Sequence, residues 1–191
     1  AAVWASVSVG VVNVVFTILS LFMIDKLGRR KLYFIGVSGL VVALIAMGTC
    51  FALQATLGDS IKWVTIALIW IYIAFFAISL GPLGWLIISE VYPLSVRGLG
   101  SSIGALSNWL FNGIVAFTFF KLVKGLTLPG SNIILNGEDL GNPAGAFFLY
   151  ALVGILSIVW GYFYIPETKN VTLEKIEEHW RNGTKPKDIH K

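Results

Sequence analysis

The residues with the clearest chemical potential are neutral amides inside long hydrophobic runs: Asn13, Asn108 and Asn112. An amide at membrane depth is costly unless it meets a hydrogen-bond partner or water. Because an amide donates and accepts at once, it suits a ligand that carries hydroxyl groups. We interpret Asn13 and Asn108 as ligand-binding candidates. Asn112 stays open between that role and a hydrogen bond between helices.

A second candidate feature is the pair Gly81-Pro82, near the middle of the uncharged run 63–89. The pair predicts a broken helix, which lipid tolerates only where protein or a water-filled cavity satisfies the freed backbone groups. Broken spans near the bilayer midplane are also where secondary transporters tend to bind substrates. Trp85 lies about one helical turn beyond the pair. Its indole offers an apolar face for a sugar's C–H surface and one N–H donor for a hydroxyl.

Charged residues concentrate in two short segments beside the hydrophobic runs. The segment 25–31 reads Asp-Lys-Leu-Gly-Arg-Arg-Lys and is predicted to be a tight connector in which Gly28 supplies a left-handed turn. The second segment places Glu90 and Arg97 across a short turn. As a solvated pair these two contribute about 0–1 kcal/mol, whereas between helix ends they would form a conformational latch.

No set of residues points to an enzyme. Both histidines, His179 and His190, lie in the polar C-terminal segment, no carboxylate pair lies at membrane depth, and the sequence has no phosphate-binding loop. The single cysteine, Cys50, cannot form a disulfide or a thiolate metal cluster within this chain. We therefore expect no catalytic residue, no metal and no cofactor.

The composition places the candidate residues on membrane helices. Of 191 residues, 57% are hydrophobic and only 13% are charged, whereas soluble domains carry about 25% charged residues. Each uncharged run reaches the roughly 20 residues that a transmembrane helix needs. We predict an all-α membrane protein with a tail at 166–191 and five transmembrane helices, at about 1–24, 32–53, 63–89, 99–121 and 145–165. Because the chain opens without a methionine, we interpret it as the C-terminal portion of a longer protein.

The distribution of basic residues favours a membrane protein over a nucleic-acid-binding one. One side of the predicted membrane carries eleven of them: Lys26, Arg29, Arg30, Lys31, Arg97, Lys169, Lys175, Arg181, Lys185, Lys187 and Lys191. The other side carries three: Lys62, Lys121 and Lys124. Since positively charged loops stay inside, we predict a cytoplasmic tail in a cell membrane, either plasma or bacterial inner.

Three motifs in order give a specific resemblance. The segment 25–30 resembles the acid-x-x-Gly-Arg-Arg loop of the sugar porter family, within the major facilitator superfamily. The stretch from Gly81-Pro82 through Trp85 to Arg97-Gly98 resembles that family's tenth-helix signature, and 166–169 resembles its Pro-Glu-Thr-Lys motif. The resemblance covers essentially the whole chain and implies helices eight to twelve, most of the C-terminal six-helix half of the bundle.

The resemblance implies roles for individual residues. It implies a monosaccharide bound between two halves of a carrier, with the missing N-terminal half as partner in the bilayer. Residues that match the family's sugar-lining positions are Asn13, Phe76, Gly81, Trp85, Asn108 and Trp109. Residues that match its cytoplasmic charge network are Asp25, Arg29, Arg30, Glu90, Arg97 and Glu167.

One position separates branches of the family. Animal facilitative glucose transporters usually have Glu where this chain has Ala77, and bacterial proton–sugar symporters commonly have Ala. The sequence therefore favours proton-coupled symport. The alternatives are a facilitative sugar or polyol uniporter, a membrane sugar sensor that does not transport, and a scaffold whose polar residues only hold helices together.

Overall fold

The computed structural model describes residues 2–93, 95–127, 132–135, 138–172, 175, 176, 178 and 182. A short 3-10 helix, Gly58–Ser60, follows a helix of a single turn, Gln54–Leu57. The other elements are, in chain order, α1 (Ala2–Leu27), α2 (Arg29–Ala52), α3 (Gln54–Leu57), α4 (Ile61–Ile78), α5 (Leu80–Val91), α6 (Arg97–Gly125), β1 (Ile134–Leu135), β2 (Glu138–Asp139) and α7 (Ala144–Tyr164).

The described residues form five helical segments that are long and apolar enough to cross a membrane. They are Ser6–Leu27, Arg29–Ala52, Ile61–Val91, Arg97–Gly125 and Ala144–Tyr164. The third segment joins α4 and α5 across one interruption. Helices satisfy their backbone hydrogen bonds internally, which is why long apolar runs adopt them in lipid. The predicted all-α architecture with five spans is confirmed.

Helix α2 is the centre of the packing. It is the most buried of the five spans, and its residues Leu32, Tyr33, Val37 and Val41 form the largest part of the core. The Tyr33 hydroxyl lies 2.9 Å from the Ser157 carbonyl oxygen and 2.6 Å from its hydroxyl, which ties α2 to α7. Helices α4 and α7 therefore keep their places mainly through contacts with α2, whereas α1 packs mainly against α4.

The turn between α1 and α2 is shorter than the sequence predicts. Helix α1 continues through Asp25 to Leu27, and α2 begins at Arg29, so only Gly28 is non-helical. Gly28 has φ of +87°, a region that favours glycine. Residues 25–27 extend α1 because none of them stops a helix before the glycine.

Helix α6 lies at the edge of the assembly. No residue in its most apolar stretch is buried, and its large side chains Trp109, Phe111 and Phe117 are 71%, 64% and 85% exposed. Thus α6 presents a largely unpacked face along its length.

The end of α2 is joined to the start of α7 by Asn142. This residue is fully buried and donates a 3.0 Å hydrogen bond to the Phe51 carbonyl oxygen.

The start of the tail returns to the α1–α2 turn. Ile165, Pro166 and Thr168 are buried there. The backbone N–H of Ile176 donates to the Thr172 carbonyl oxygen over 3.1 Å, which is the hydrogen bond of a helical turn. The residues that follow fall largely outside the described part of the chain.

Candidate functional site

The third span is interrupted at Ser79. This residue has φ of −119° and ψ of −89°, between the end of α4 at Ile78 and the start of α5 at Leu80. Its N–H donates to the Phe76 carbonyl oxygen over 3.2 Å, and its hydroxyl donates to the Phe75 carbonyl oxygen over 2.7 Å. Because Ser79 is fully buried, these bonds offset the cost of breaking the helix at membrane depth.

The break does not lie at Gly81-Pro82, where the sequence predicts it. Pro82 is the third residue of α5, a position where a helix does not need the missing N–H. Proline removes the hydrogen bond to the residue four positions earlier and clashes with its carbonyl. That earlier residue is Ile78, so the interruption appears at Ser79, one turn before the proline.

Two glycines of α2 provide the space for this interruption. A methyl group at Gly36 would overlap the Ser79 side chain, and one at Gly39 would overlap the Phe75 ring. The broken helix therefore approaches α2 more closely than any side chain at these positions allows. This role cannot be predicted from the sequence, since nothing in the spacing of the two glycines identifies their partner.

Phe76 and Gly81 lie together across the break. A methyl group at Gly81 would lie 3.4 Å from the Phe76 carbonyl oxygen and 3.6 Å from its ring atom Cε1. Phe76 is 37% exposed and Gly81 is half-buried. The structure thus brings two of the six predicted substrate residues into one neighbourhood.

Trp85 lies further along α5, toward the inner charges. It is 50% exposed and lines a depression of about 530 Å³ between α1 and α5. Leu21, Asp25 and Ser89 line the same depression. Its indole therefore faces space rather than the core, next to a carboxylate that has no hydrogen-bond or ion-pair partner among the described residues.

The remaining predicted substrate residues are not brought together. Asn13 is half-buried on α1, whereas Asn108 and Trp109 are exposed on α6. Among the described residues, no hydrogen bond joins Asn13 to Asn108 or to Trp85. The Asn112 amide donates to the Asn108 carbonyl oxygen over 2.8 Å and to its side-chain oxygen over 3.1 Å. Asn112 thus bonds within its own helix rather than across to another.

A second group of residues forms a compact cluster, which we call the inner charge cluster because the basic residues predict that this side is cytoplasmic. The Arg29 guanidinium donates to the Glu90 carboxylate over 2.9 Å, and the two side chains are only 15% and 18% exposed. The other oxygen of Glu90 accepts a hydrogen bond from the Thr168 hydroxyl. Three segments meet here, namely the start of α2, the end of α5 and the start of the tail.

Glu167 completes this cluster by capping α2. One carboxylate oxygen accepts the backbone N–H of Arg29 over 2.9 Å and the other accepts that of Arg30 over 3.2 Å. The backbone N–H of Lys169 adds a 3.2 Å bond. A carboxylate at a helix N-terminus satisfies orphan donors and complements the helix dipole. Gly28 has no room for a side chain, since a methyl group there would lie 2.5 Å from Glu167 Oε2.

The side chains of three other members of the predicted charge network lie outside the inner charge cluster. Arg97 donates to the Tyr92 carbonyl oxygen over 3.3 Å and makes no ion pair with Glu90 in the described part of the chain. The Arg30 guanidinium turns away to α7, where it donates to the Tyr162 carbonyl oxygen over 2.8 Å. Asp25 is exposed beside Trp85. The partner of Glu90 is thus Arg29, and the latch that the sequence suggested between Glu90 and Arg97 is not formed.

Comparisons with known proteins agree over nearly the whole chain. The family model described as sugar (and other) transporter matches residues 1–180. The chain is 33% identical over 188 residues to the probable polyol transporter 4 of Arabidopsis thaliana, covering 96% of this chain and 32% of that protein. It is 33% identical over 184 residues to the D-xylose-proton symporter of Escherichia coli strain K12, covering 96% and 35%.

Solved structures give the same result. The chain matches the major facilitator superfamily proton:xylose symporter XylE bound to 6-bromo-6-deoxy-D-glucose with a TM-score of 0.77 and 32% identity, covering 94% of this chain and 35% of that one. For the inward open conformation of XylE from E. coli, the TM-score is 0.73 at 32% identity, with 91% and 35% covered. The chain spans about a third of the length of these relatives. On this evidence the chain is a multi-pass membrane segment that belongs to the sugar (and other) transporter family of the major facilitator superfamily.

Proposed function

We propose that this chain supplies most of one six-helix half of a carrier that moves a monosaccharide or polyol across a cell membrane by alternating access. The observation that carries the proposal is the break at Ser79, a satisfied backbone interruption inside a 31-residue span. Interruptions of this kind mark substrate sites in secondary transporters. The family match supports the same class of function.

The proposed substrate wall is neutral at the break, and Trp85 lies beside Asp25 toward its inner end. Phe76 and Gly81 flank the break, and Trp85 faces open space one to two turns along. Asn13 and Asn108 are the amides proposed to reach the hydroxyl groups of the substrate, with Trp109 beside Asn108. They lie on α1 and α6 rather than at the break. The proposed site therefore needs a second wall, from the other half of the carrier, to hold the substrate within their reach. Neutral side chains at the break avoid the cost of an ion at membrane depth.

The inner charge cluster is proposed to hold the inner end of the carrier closed. Arg29, Glu90, Thr168 and Glu167 join α2, α5 and the tail through hydrogen bonds. Breaking such a partly buried set leaves charges without partners, which opposes opening. We propose that the tail is on the cytoplasmic side, in accord with the basic residues that surround it.

We further propose proton coupling. One of the similar proteins is named a D-xylose-proton symporter. This chain has Ala77 at the position where bacterial proton–sugar symporters commonly have Ala, and the residue is fully buried at the end of α4. Other similar proteins are named polyol transporters. A polyol is therefore the second substrate class to be tested beside a monosaccharide.

The test is uptake by the full-length protein in proteoliposomes. Labelled xylose, glucose and inositol are supplied with and without an inward proton gradient. We expect uptake of at least one of them, accelerated by the gradient and accumulated above the outside concentration. Uptake that only equilibrates would reject proton coupling but keep the carrier. Binding of a sugar without flux would reject transport in favour of a sensor.

A further inference from the structure

Arg30 differs from its neighbour Arg29 in where its side chain goes. The backbone N–H of Arg30 is bound to Glu167, but its guanidinium leaves the inner charge cluster and crosses to α7. There its Cζ atom lies 5.6 Å from the centroid of the Tyr162 ring and 6.0 Å from that of Phe34. Cation–π contacts at these distances are weakly favourable. The guanidinium is thus held on the outer surface of the α2–α7 pair.

This guanidinium lies at the mouth of an apolar groove of about 540 Å³. The groove is lined by Arg30, Phe34, Ile158, Val159, Tyr162 and Phe163. With a helical rise of 1.5 Å per residue, it runs about 6 Å from the level of Arg30 to that of Phe34 and Ile158. Its apolar rim is open to the surroundings, since Val159 and Phe163 are 52% and 54% exposed.

Capping of α7 does not use all of the Arg30 donors. Tyr162 is among the last residues of α7, and a cation there complements the unpaired carbonyls and the helix dipole. That role takes one N–H, however, and a guanidinium carries five. Among the described residues, no other hydrogen bond from this guanidinium is formed. The remaining donors therefore suit an anion with several acceptor oxygens, as a phosphate has.

We propose that this groove binds one anionic phospholipid from the leaflet on the side of the Gly28 turn. The phosphate receives the free Arg30 donors, and one acyl chain lies between Phe34 and Val159. A guanidinium at the membrane surface followed by an apolar slot toward the bilayer centre is complementary to a headgroup and its chain. Lys31 is exposed beside Arg30 and adds positive charge without lining the groove.

The experiment is native mass spectrometry of the purified full-length protein titrated with phosphatidylglycerol or with phosphatidylcholine of the same acyl chains. The variants are Arg30→Gln, which removes the cation, and Val159→Trp, which fills the groove at a half-exposed position. Lys31→Gln is the matched control, because it removes an adjacent charge outside the groove. Thermal unfolding of each variant shows that it is folded.

We expect the parent to bind the first phosphatidylglycerol more tightly than phosphatidylcholine. Arg30→Gln should weaken phosphatidylglycerol binding about fivefold, the effect typical of one basic residue at an anionic surface. Val159→Trp should weaken both lipids, and Lys31→Gln should weaken phosphatidylglycerol binding clearly less than Arg30→Gln does, because Lys31 does not line the groove. Equal binding of the two lipids by the parent would overturn the proposal. So would parental binding by Val159→Trp, or a loss in Lys31→Gln as large as in Arg30→Gln. If Arg30→Gln does not fold, the lipid binding of Val159→Trp and the parent's preference between the two lipids still test the proposal.

Discussion

The inner charge cluster and the membrane-depth site differ in how completely this chain builds them. At the inner end, Arg29, Glu90, Thr168 and Glu167 make direct hydrogen bonds and are mostly buried. At membrane depth, the Asn108 side chain is exposed and Trp85 is 50% exposed. One region has its partners within 191 residues. The other presents its candidate groups to open space.

This difference follows from what each region has to do. A contact that fixes the ends of helices is local to the half that contains them, so the chain carries both sides of it. A substrate site between two halves takes one wall from each. The chain spans about a third of its relatives, so an incomplete site beside a complete cluster is what the proposed function requires.

The largest expected effect comes from breaking the cluster with Glu90→Gln. This change leaves the poorly exposed Arg29 without its counter-ion. Removing one partner of a buried ion pair destabilises a protein by about 3 kcal/mol at the low end of the usual range. In the full-length protein, a cysteine placed at Ser89 should react faster with an impermeant maleimide added from the inner side. Arg97→Ala is the comparison, because Arg97 is not paired with Glu90; its labelling should stay close to the parent rate. Parental labelling in Glu90→Gln would mean that the cluster does not hold the inner end closed.

The next effect tests the incomplete region through Trp85→Ala. Removing an aromatic contact with the substrate at the centre of a binding site costs about 2 kcal/mol of binding free energy. Uptake at low substrate concentration should therefore fall about 30-fold. Trp63→Ala is the matched control, because Trp63 is on α4 in the same span and is 75% exposed. Initial uptake rates are compared at equal protein levels. Equal losses in the two variants would remove Trp85 from the site.

A smaller effect is expected from Gly36→Ala, which targets the support of the break. The added methyl group overlaps Ser79, and overpacking of this kind costs about 1–3 kcal/mol. The melting temperature of the full-length protein should fall. Gly113→Ala on α6 is the control, since a methyl group there meets nothing within 4 Å, and its melting temperature should not fall. If both variants melt like the parent, α2 does not constrain the break.

The smallest effect is expected from Glu167→Gln. The amide keeps one acceptor for the N-terminus of α2 but loses the charge, and a helix cap is worth about 1 kcal/mol. Chemical unfolding should show a stability loss of that order. Glu178→Gln in the exposed part of the tail is expected to have no measurable effect. A larger loss in Glu178→Gln than in Glu167→Gln would contradict the capping role.

Hydropathy was sufficient to predict the spans and the class of fold. Uncharged runs of membrane length do not need tertiary information to be recognised, and the motifs beside them led to the family. The position of the break was predicted two residues late, because a proline acts on the carbonyl four residues earlier. Its support by Gly36 could not be predicted, since it depends on which helix packs there.

Side-chain direction was the other limit of the sequence. Arg29 and Arg30 are adjacent and chemically identical, yet one guanidinium enters the cluster and the other crosses to α7. Consecutive helical residues point about 100° apart, so their partners depend on neighbouring helices. For the same reason Thr168 was missed, and Arg97 was expected beside Glu90. The roles of Asn13, Asn108 and Trp109 remain predictions. Among the described residues, no hydrogen bond joins Asn13 to Asn108, and the Asn108 side chain bonds to Asn112 of its own helix.

The central claim is that the break at Ser79 forms one wall of a substrate site. The most direct test is protection of Phe76→Cys from a small maleimide in the full-length protein, using the sugar or polyol that the uptake assay identifies. Phe76 is 37% exposed at the break. We expect saturating substrate to slow labelling, whereas a sugar that is not transported should leave the labelling rate unchanged. Labelling at the same rate with and without a transported substrate would contradict it.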